Sequence, residues 1–262
     1  DVGTEHLKPT LISLGNSTIK ARFVQGGEEH TIVITTSGAL LSFGSNRDGQ
    51  LGVGRPKMIS KGNEIERPKY ESDLIIQARS VIGDINNNRC SDISCGGTHS
   101  AAITENGILY TWGESFNGRL GYNNAGTNVF IPRTVPDFAY IECIKVSAGG
   151  YHTLVLTSDQ RVYSFGQADG ILGIGDDIPH DSNQTPTAIS SLNDVVMIAA
   201  GYDHNLCMRS DGQVLVWGHA GKYGRLGLSN SENSHTTKQI PRFDESTPES
   251  LYYSPTHTSI EK

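Results

Sequence analysis

The 262-residue chain has a formal net charge of -7 and 30 glycines, with 36% hydrophobic residues and only 3 methionines. Such a balance supplies no positive field for phosphate backbones or anionic lipid, so direct nucleic-acid binding is not expected. No apolar run approaches the roughly 18 residues that span a bilayer, and so many glycines suit short strands and tight turns in one all-β domain.

In chain order, the N-terminus lacks a basic head followed by an apolar stretch, and an intracellular protein, cytoplasmic or nuclear, is expected. The first regular feature is Gly27 followed three residues later by His30, then the apolar segments 31–36 and 39–43, ending at Phe43-Gly44 and closed by Leu51-Gly52. The same pattern returns at Gly96, His99, Trp112-Gly113 and Leu120-Gly121. A third copy runs through Gly149, His152, Phe165-Gly166 and Leu172-Gly173, and a fourth through Gly201, His204, Trp217-Gly218 and Leu226-Gly227. The aromatic always follows the histidine by 13 residues. Repeat cores are therefore placed at 27–52, 96–121, 149–173 and 201–227 within a single domain, or part of one, over 1–262.

Within each copy the two apolar segments lack polar alternation, which marks strands covered on both faces. Their links, Ser37-Gly38, Asn106-Gly107 and Asp211-Gly212, carry the glycine that tight hairpins need. The third link, Asp159-Gln160, lacks it and is expected to be looser or longer. Val24, Ile93, Val146 and Ile198, six residues before each histidine, predict a tightly packed inner strand. Gly52 to Gly96 is 44 residues, against 28 at the next two junctions, so an insertion lies within 55–88. Its Lys57, Lys61, Arg67 and Lys69 beside Glu64, Glu66, Glu71 and Asp73 could not all be buried, and part of it must protrude. Near 254–258, Ser-Pro-Thr-His-Thr has the position of an eroded fifth repeat start.

A unit of about 50 residues with several doubly covered strands is one blade of a β-propeller. The wording GxxH-T/S, F/W-G and Leu-Gly resembles the regulator of chromosome condensation family over residues 24–228. That resemblance implies a ring of seven blades, of which four are recognisable here, the others being missing or partner-supplied. It also implies a protein-binding scaffold, with guanine-nucleotide exchange on a small GTPase as the alternative.

No chemistry competes with this reading. The four cysteines, Cys90, Cys95, Cys143 and Cys207, form no CxxC pair and are expected to be reduced and buried. His30, His99, His152 and His204 stand one per blade rather than in the local pairs typical of a structural metal site, and are assigned to blade junctions. Trp112 and Trp217 are assigned to packing between sheets. Neither GxxxxGK[ST], GxSxG nor HExxH occurs, so no cofactor and no catalytic residue is assigned. Binding is expected where the copies differ, on the loops after each aromatic-glycine, with Arg47, Asp48, Phe116, Arg119, Tyr223 and Arg225 as contact residues for another protein.

Overall fold

A computed structural model describes residues 12–15, 18–55, 59–61, 64–66, 74–123, 126–175, 183–221, 224–228 and 232–240. The eroded repeat start at 254–258 and Tyr223 lie outside the described residues. The first sheet begins with β1 (Ala21–Gly26), β2 (His30–Thr35) and β3 (Leu40–Ser45). A separate hairpin follows, β4 (Ile59–Lys61) and β5 (Glu64–Glu66), before β6 (Leu74–Ser80) returns as the fourth strand. The second sheet is β7 (Cys90–Cys95), β8 (His99–Thr104), β9 (Leu109–Gly113) and β10 (Val129–Thr134). The third is β11 (Cys143–Ala148), β12 (His152–Thr157), β13 (Val162–Gly166) and β14 (Asn183–Ala188). The fourth is β15 (Val195–Ala200), β16 (His204–Arg209), β17 (Val214–Gly218) and β18 (Ser234–Gln239).

Each of these four sheets is an antiparallel meander, with strands hydrogen-bonded in sequence order. The sheets pack face to face, and the first strands adjoin in the series β1, β7, β11, β15, so they line the inner side of an arc of blades. Three apolar cores fill the three junctions. Ile32, Ile34 and Leu40 of the first blade meet Ile93 and Trp112 of the second. Leu154 and Leu156 of the third meet Cys207 and Trp217 of the fourth. Both faces of a central blade are thus covered, which is why every residue of β8 and β12 is buried.

Three of the four repeated histidines join adjacent blades. His30 Nε2 lies 2.8 Å from Ser100 Oγ, which itself donates to Gln50 O at 2.7 Å. His99 reaches Thr153 Oγ1 at 2.9 Å, and that hydroxyl donates to Arg119 O at 2.8 Å. His152 reaches Asn205 Oδ1 at 2.6 Å, while Asn205 Nδ2 donates to Ile171 O at 2.7 Å. Since each partner already donates backward, the histidine must donate from Nε2, which fixes a neutral tautomer. Burial agrees, pulling His30 and His152 down to about 4 and His99 well below its ordinary value. For these three histidines the acceptor is a side chain of the next blade that relays to backbone.

The glycine of GxxH follows from the same closeness. A Cβ on Gly96 would sit 2.4 Å from His99 Cε1 and 2.5 Å from Gly149 O of the next blade. Only hydrogen fits there. Likewise Gly52 lies against Trp112, Gly121 against Phe165 and Gly173 against Trp217, so the first three Leu-Gly pairs close onto the aromatic of the following blade.

Two local expectations are corrected. The third hairpin link is not looser: Gln160 adopts φ 65 and its N–H bonds Thr157 O at 2.9 Å, as Gly38 bonds Thr35 O at 2.9 Å. The fold imposes the glycine conformation on a residue that resists it. Nor is the inner strand tightly packed throughout. Ile93 and Val146 are buried in junctions, but Val24 is 60% exposed because no preceding blade stands against it among the described residues.

Candidate protein-binding face

The GxxH turns and the loops after each aromatic-glycine lie at the same end of the sheets. Antiparallel pairing requires it, since β2 starts where β3 ends, and His30 pairs with Gly44. The four copies are tied identically: Ser45 N donates to Glu29 O, Glu114 N to Thr98 O, Gln167 N to Tyr151 O and His219 N to Asp203 O. The variable loops therefore emerge together on one face.

Side chains cross-link that face between blades. Asn128 Nδ2 donates to Asp48 Oδ1 at 2.9 Å, Asn117 Nδ2 approaches Gln167 Oε1 at 3.4 Å, and His219 Nε2 donates to Asp169 O at 2.7 Å. Within the first loop, Asn46 bonds both Gly54 O and Leu51 N. Such closure presets the loop shape before any partner arrives.

The expected contact residues fare differently. Arg47 is exposed, and Phe116 is 63% exposed. Asp48 is half-buried, and burial with the nearby Glu114 raises its carboxyl above the usual range. Arg225 is exposed but holds Asp203 at 3.1 Å. Arg119 is the correction. It is 1% exposed, with Nη1 donating to Thr98 Oγ1 at 2.8 Å and to Glu114 Oε2 at 2.9 Å, and Nε to Phe116 O at 2.9 Å. Its guanidinium also stacks 4.9 Å from the centre of the Tyr151 ring. Thr98 and Glu114 bond each other as well. Arg119 is thus an internal brace between the second and third blades.

Residues missed in the sequence occupy the two variable positions inside GxxH: Glu28-Glu29, Gly97-Thr98, Gly150-Tyr151 and Tyr202-Asp203. They belong to this same face. The rule that binding sits where copies differ would have found them, had it been applied between the glycine and the histidine.

The insertion appears as the β4–β5 hairpin, where Lys61 pairs across from Glu64 in backbone register. Glu71, Asp73, Lys57, Arg67 and Lys69 lie outside the described residues.

All four cysteines are free and buried. Burial pushes Cys90, Cys95 and Cys143 up to about 12, far from a thiolate nucleophile.

The family model described as RCC1-like domain matches residues 1–258. The chain belongs to the RCC1-like domain family. Its similar relatives include a bifunctional serine/threonine-protein kinase/NEDD4-like E3 ubiquitin-protein ligase of Dictyostelium discoideum, 32% identical over 81% of this chain and 11% of that protein. Another is the ultraviolet-B receptor UVR8 of Arabidopsis thaliana, 27% identical over 80% of this chain and 44% of the receptor. Among solved structures, human WBSCR16 superposes with a TM-score of 0.72 at 23% identity, covering 85% of this chain and 53% of that one. Prp20p of Saccharomyces cerevisiae, in a structure described with its binding to Gsp1p and histones, gives 0.72 at 21% identity over 87% and 52%. Those likenesses establish the propeller fold, and the chain spans about half or less of the length of each of these proteins. Among the described residues no helix is long and apolar enough to cross a membrane.

Proposed function

We propose that this chain is a non-catalytic, intracellular protein-binding platform that presents its loop face to a partner protein. The observation that carries the reading is the contrast between invariant junction residues and variable loops gathered and cross-linked on one face. A rigid scaffold with differing loops offers a distinct surface without disturbing the core. Further blades, from the same polypeptide or a partner, complete the arc in this proposal, because Val24 of the first blade is uncovered and Leu206 and Met208 of the fourth are only half-buried, where Leu154 and Leu156 are buried.

The test compares partner capture by the wild-type chain with that of Arg47→Glu, Phe116→Ala and Arg225→Glu on the loop face. Asn106→Glu at an opposite-face turn serves as the control. Loss of the captured protein by the loop-face variants alone is expected. Equal capture by all four would overturn the choice of face. Replacing the 16 excess residues of the insertion by a short Gly-Ser link is expected to leave folding intact and weaken capture.

A further inference from the structure

The GxxH turns converge on a depression of about 390 Å³ at the inner end of the loop face. Its floor is backbone, from Gly27, Gly96, Gly97, Gly149, Gly150 and Gly201. The N–H groups of that floor are already used: Glu28 N donates to Gly96 O, Gly97 N to Gly149 O and Gly150 N to Tyr202 O. An anion would find those donors spent.

Two side chains stand in the depression. Glu28 is exposed and its carboxylate reaches over Gly97, within 3.5 Å of where a Cβ would sit. Among the described residues its carboxylate makes no hydrogen bond or ion pair, whereas those of Glu114 and Asp203 are already held by Arg119 and Arg225. Tyr202 packs over Gly150 and remains 48% exposed. Its ring is fixed edge-on against Tyr151, with centroids 5.3 Å apart and an interplanar angle of 81°. The Tyr202 hydroxyl donates to Tyr151 Oη at 2.7 Å, a bond that helps push its pKa up to about 12 and keeps it neutral. An unpaired carboxylate beside a pre-set aromatic ring over a small-residue floor is complementary to a planar cation.

We infer that this depression receives an arginine side chain of a protein partner, with Glu28 pairing the guanidinium and Tyr202 stacking on it. A planar fork suits this pair better than an ammonium, because it can engage carboxylate and ring together. The inference rests on the platform reading and names the chemistry of the partner's contacting residue.

The experiment titrates the ¹⁵N-labelled chain with N-acetyl-arginine amide, with N-acetyl-lysine amide and N-acetyl-glutamate amide in parallel, and follows the backbone amide signals. Saturable shifts centred on Gly97, Gly150 and Tyr202 are expected with the arginine probe, weaker ones with lysine and none with glutamate. Glu28→Gln and Tyr202→Ala should each weaken arginine binding about tenfold while the remaining spectrum shows an intact fold. Binding by lysine equal to that by arginine would overturn the guanidinium assignment. Absence of saturable shifts, or arginine binding untouched by both variants, would overturn the site. If Phe116→Ala abolishes partner capture while the depression stays unresponsive, this inference alone falls. If none of the loop-face variants matters, the platform reading falls with it.

Discussion

Acidification should loosen the blade junctions, and the histidines set the size of the effect. His30 and His152 are held neutral by burial at about 4, against an ordinary value of 6.5. Their folded pKa is depressed, so the unfolded chain takes up protons that the folded chain refuses. Stability is therefore complete above about pH 6.5 and falls as the pH drops toward 4. At pH 5 an unfolded imidazole is about 97% protonated and the native one about 9%, which corresponds to about 2 kcal/mol lost per histidine, rising to about 3 at full titration. The two together remove about 4 kcal/mol at pH 5, and His99 acts in the same direction. Against a typical stability of about 5–15 kcal/mol that is a large fraction. Urea denaturation at pH 7.5 and pH 5.0 measures it, staying above the range where most carboxylates titrate. His152→Gln can still donate to Asn205 Oδ1 but does not titrate, so it should remove about 2 kcal/mol of the difference. Equal stability at both pH values, or an unchanged difference in the glutamine variant, would refute the neutral-junction argument.

Four further substitutions test the packing. Trp112→Ala deletes a fully buried ring that also donates to Gln50 O at 2.9 Å, and should cost about 3–5 kcal/mol in denaturant melts. Gly149→Ala forces a Cβ to 2.2 Å from His152 Cε1 and 2.6 Å from Gly201 O, so it should destabilise by about 2 kcal/mol or more. Gly26→Ala, where nothing lies within 4 Å, should stay within about 0.5 kcal/mol. Gln160→Gly relieves the positive φ of the third hairpin link and should raise stability by about 0.5–1 kcal/mol, an increase that a loose loop would not give.

What could be read from the sequence is what the repeat constrains four times over. The histidine offset, the aromatic and the Leu-Gly each recur because every blade must fit the next, and steric closeness at Gly27, Gly96 and Gly149 allows no variation. The common loop face followed as well, because hairpin pairing leaves no choice of end. Arg119 was misjudged for a physical reason: an exposed arginine and one folded under its own loop onto Thr98, Glu114 and Tyr151 are identical in a single sequence. Gln160 was misjudged because a local preference of about 1 kcal/mol was set against a sheet register fixed by neighbouring blades. Glu28 and Tyr202 each stand out as variable positions, but their meeting in one mouth is not legible in the sequence, because they lie 174 positions apart and meet only through the curvature of the arc.

The far face of the fourth blade gives a last prediction that separates an internal junction from an open one. His204 occupies the same place in its blade as His30, His99 and His152, yet its Nε2 meets no acceptor among the described residues. Gly227, the counterpart of the glycines that lie against Trp112 and Trp217, has only Ile240 nearby, at 3.9 Å. In the proposed platform this face receives another blade, whose residue after its own histidine would supply the hydroxyl or amide that His204 lacks. Removing one partner of a buried hydrogen bond costs about 1–3 kcal/mol, whereas replacing a group with no partner costs little. In the 262-residue chain His204→Ala should therefore cost less than about 1 kcal/mol beyond its lost packing, and clearly less than His152→Ala, which strands the amide of Asn205. When the covering blade is present, in the same polypeptide or as an added partner, the two substitutions should become equally costly. Equal costs in the 262-residue chain alone would show that the fourth junction is already closed by the residues at hand, and that the arc needs nothing further on that side.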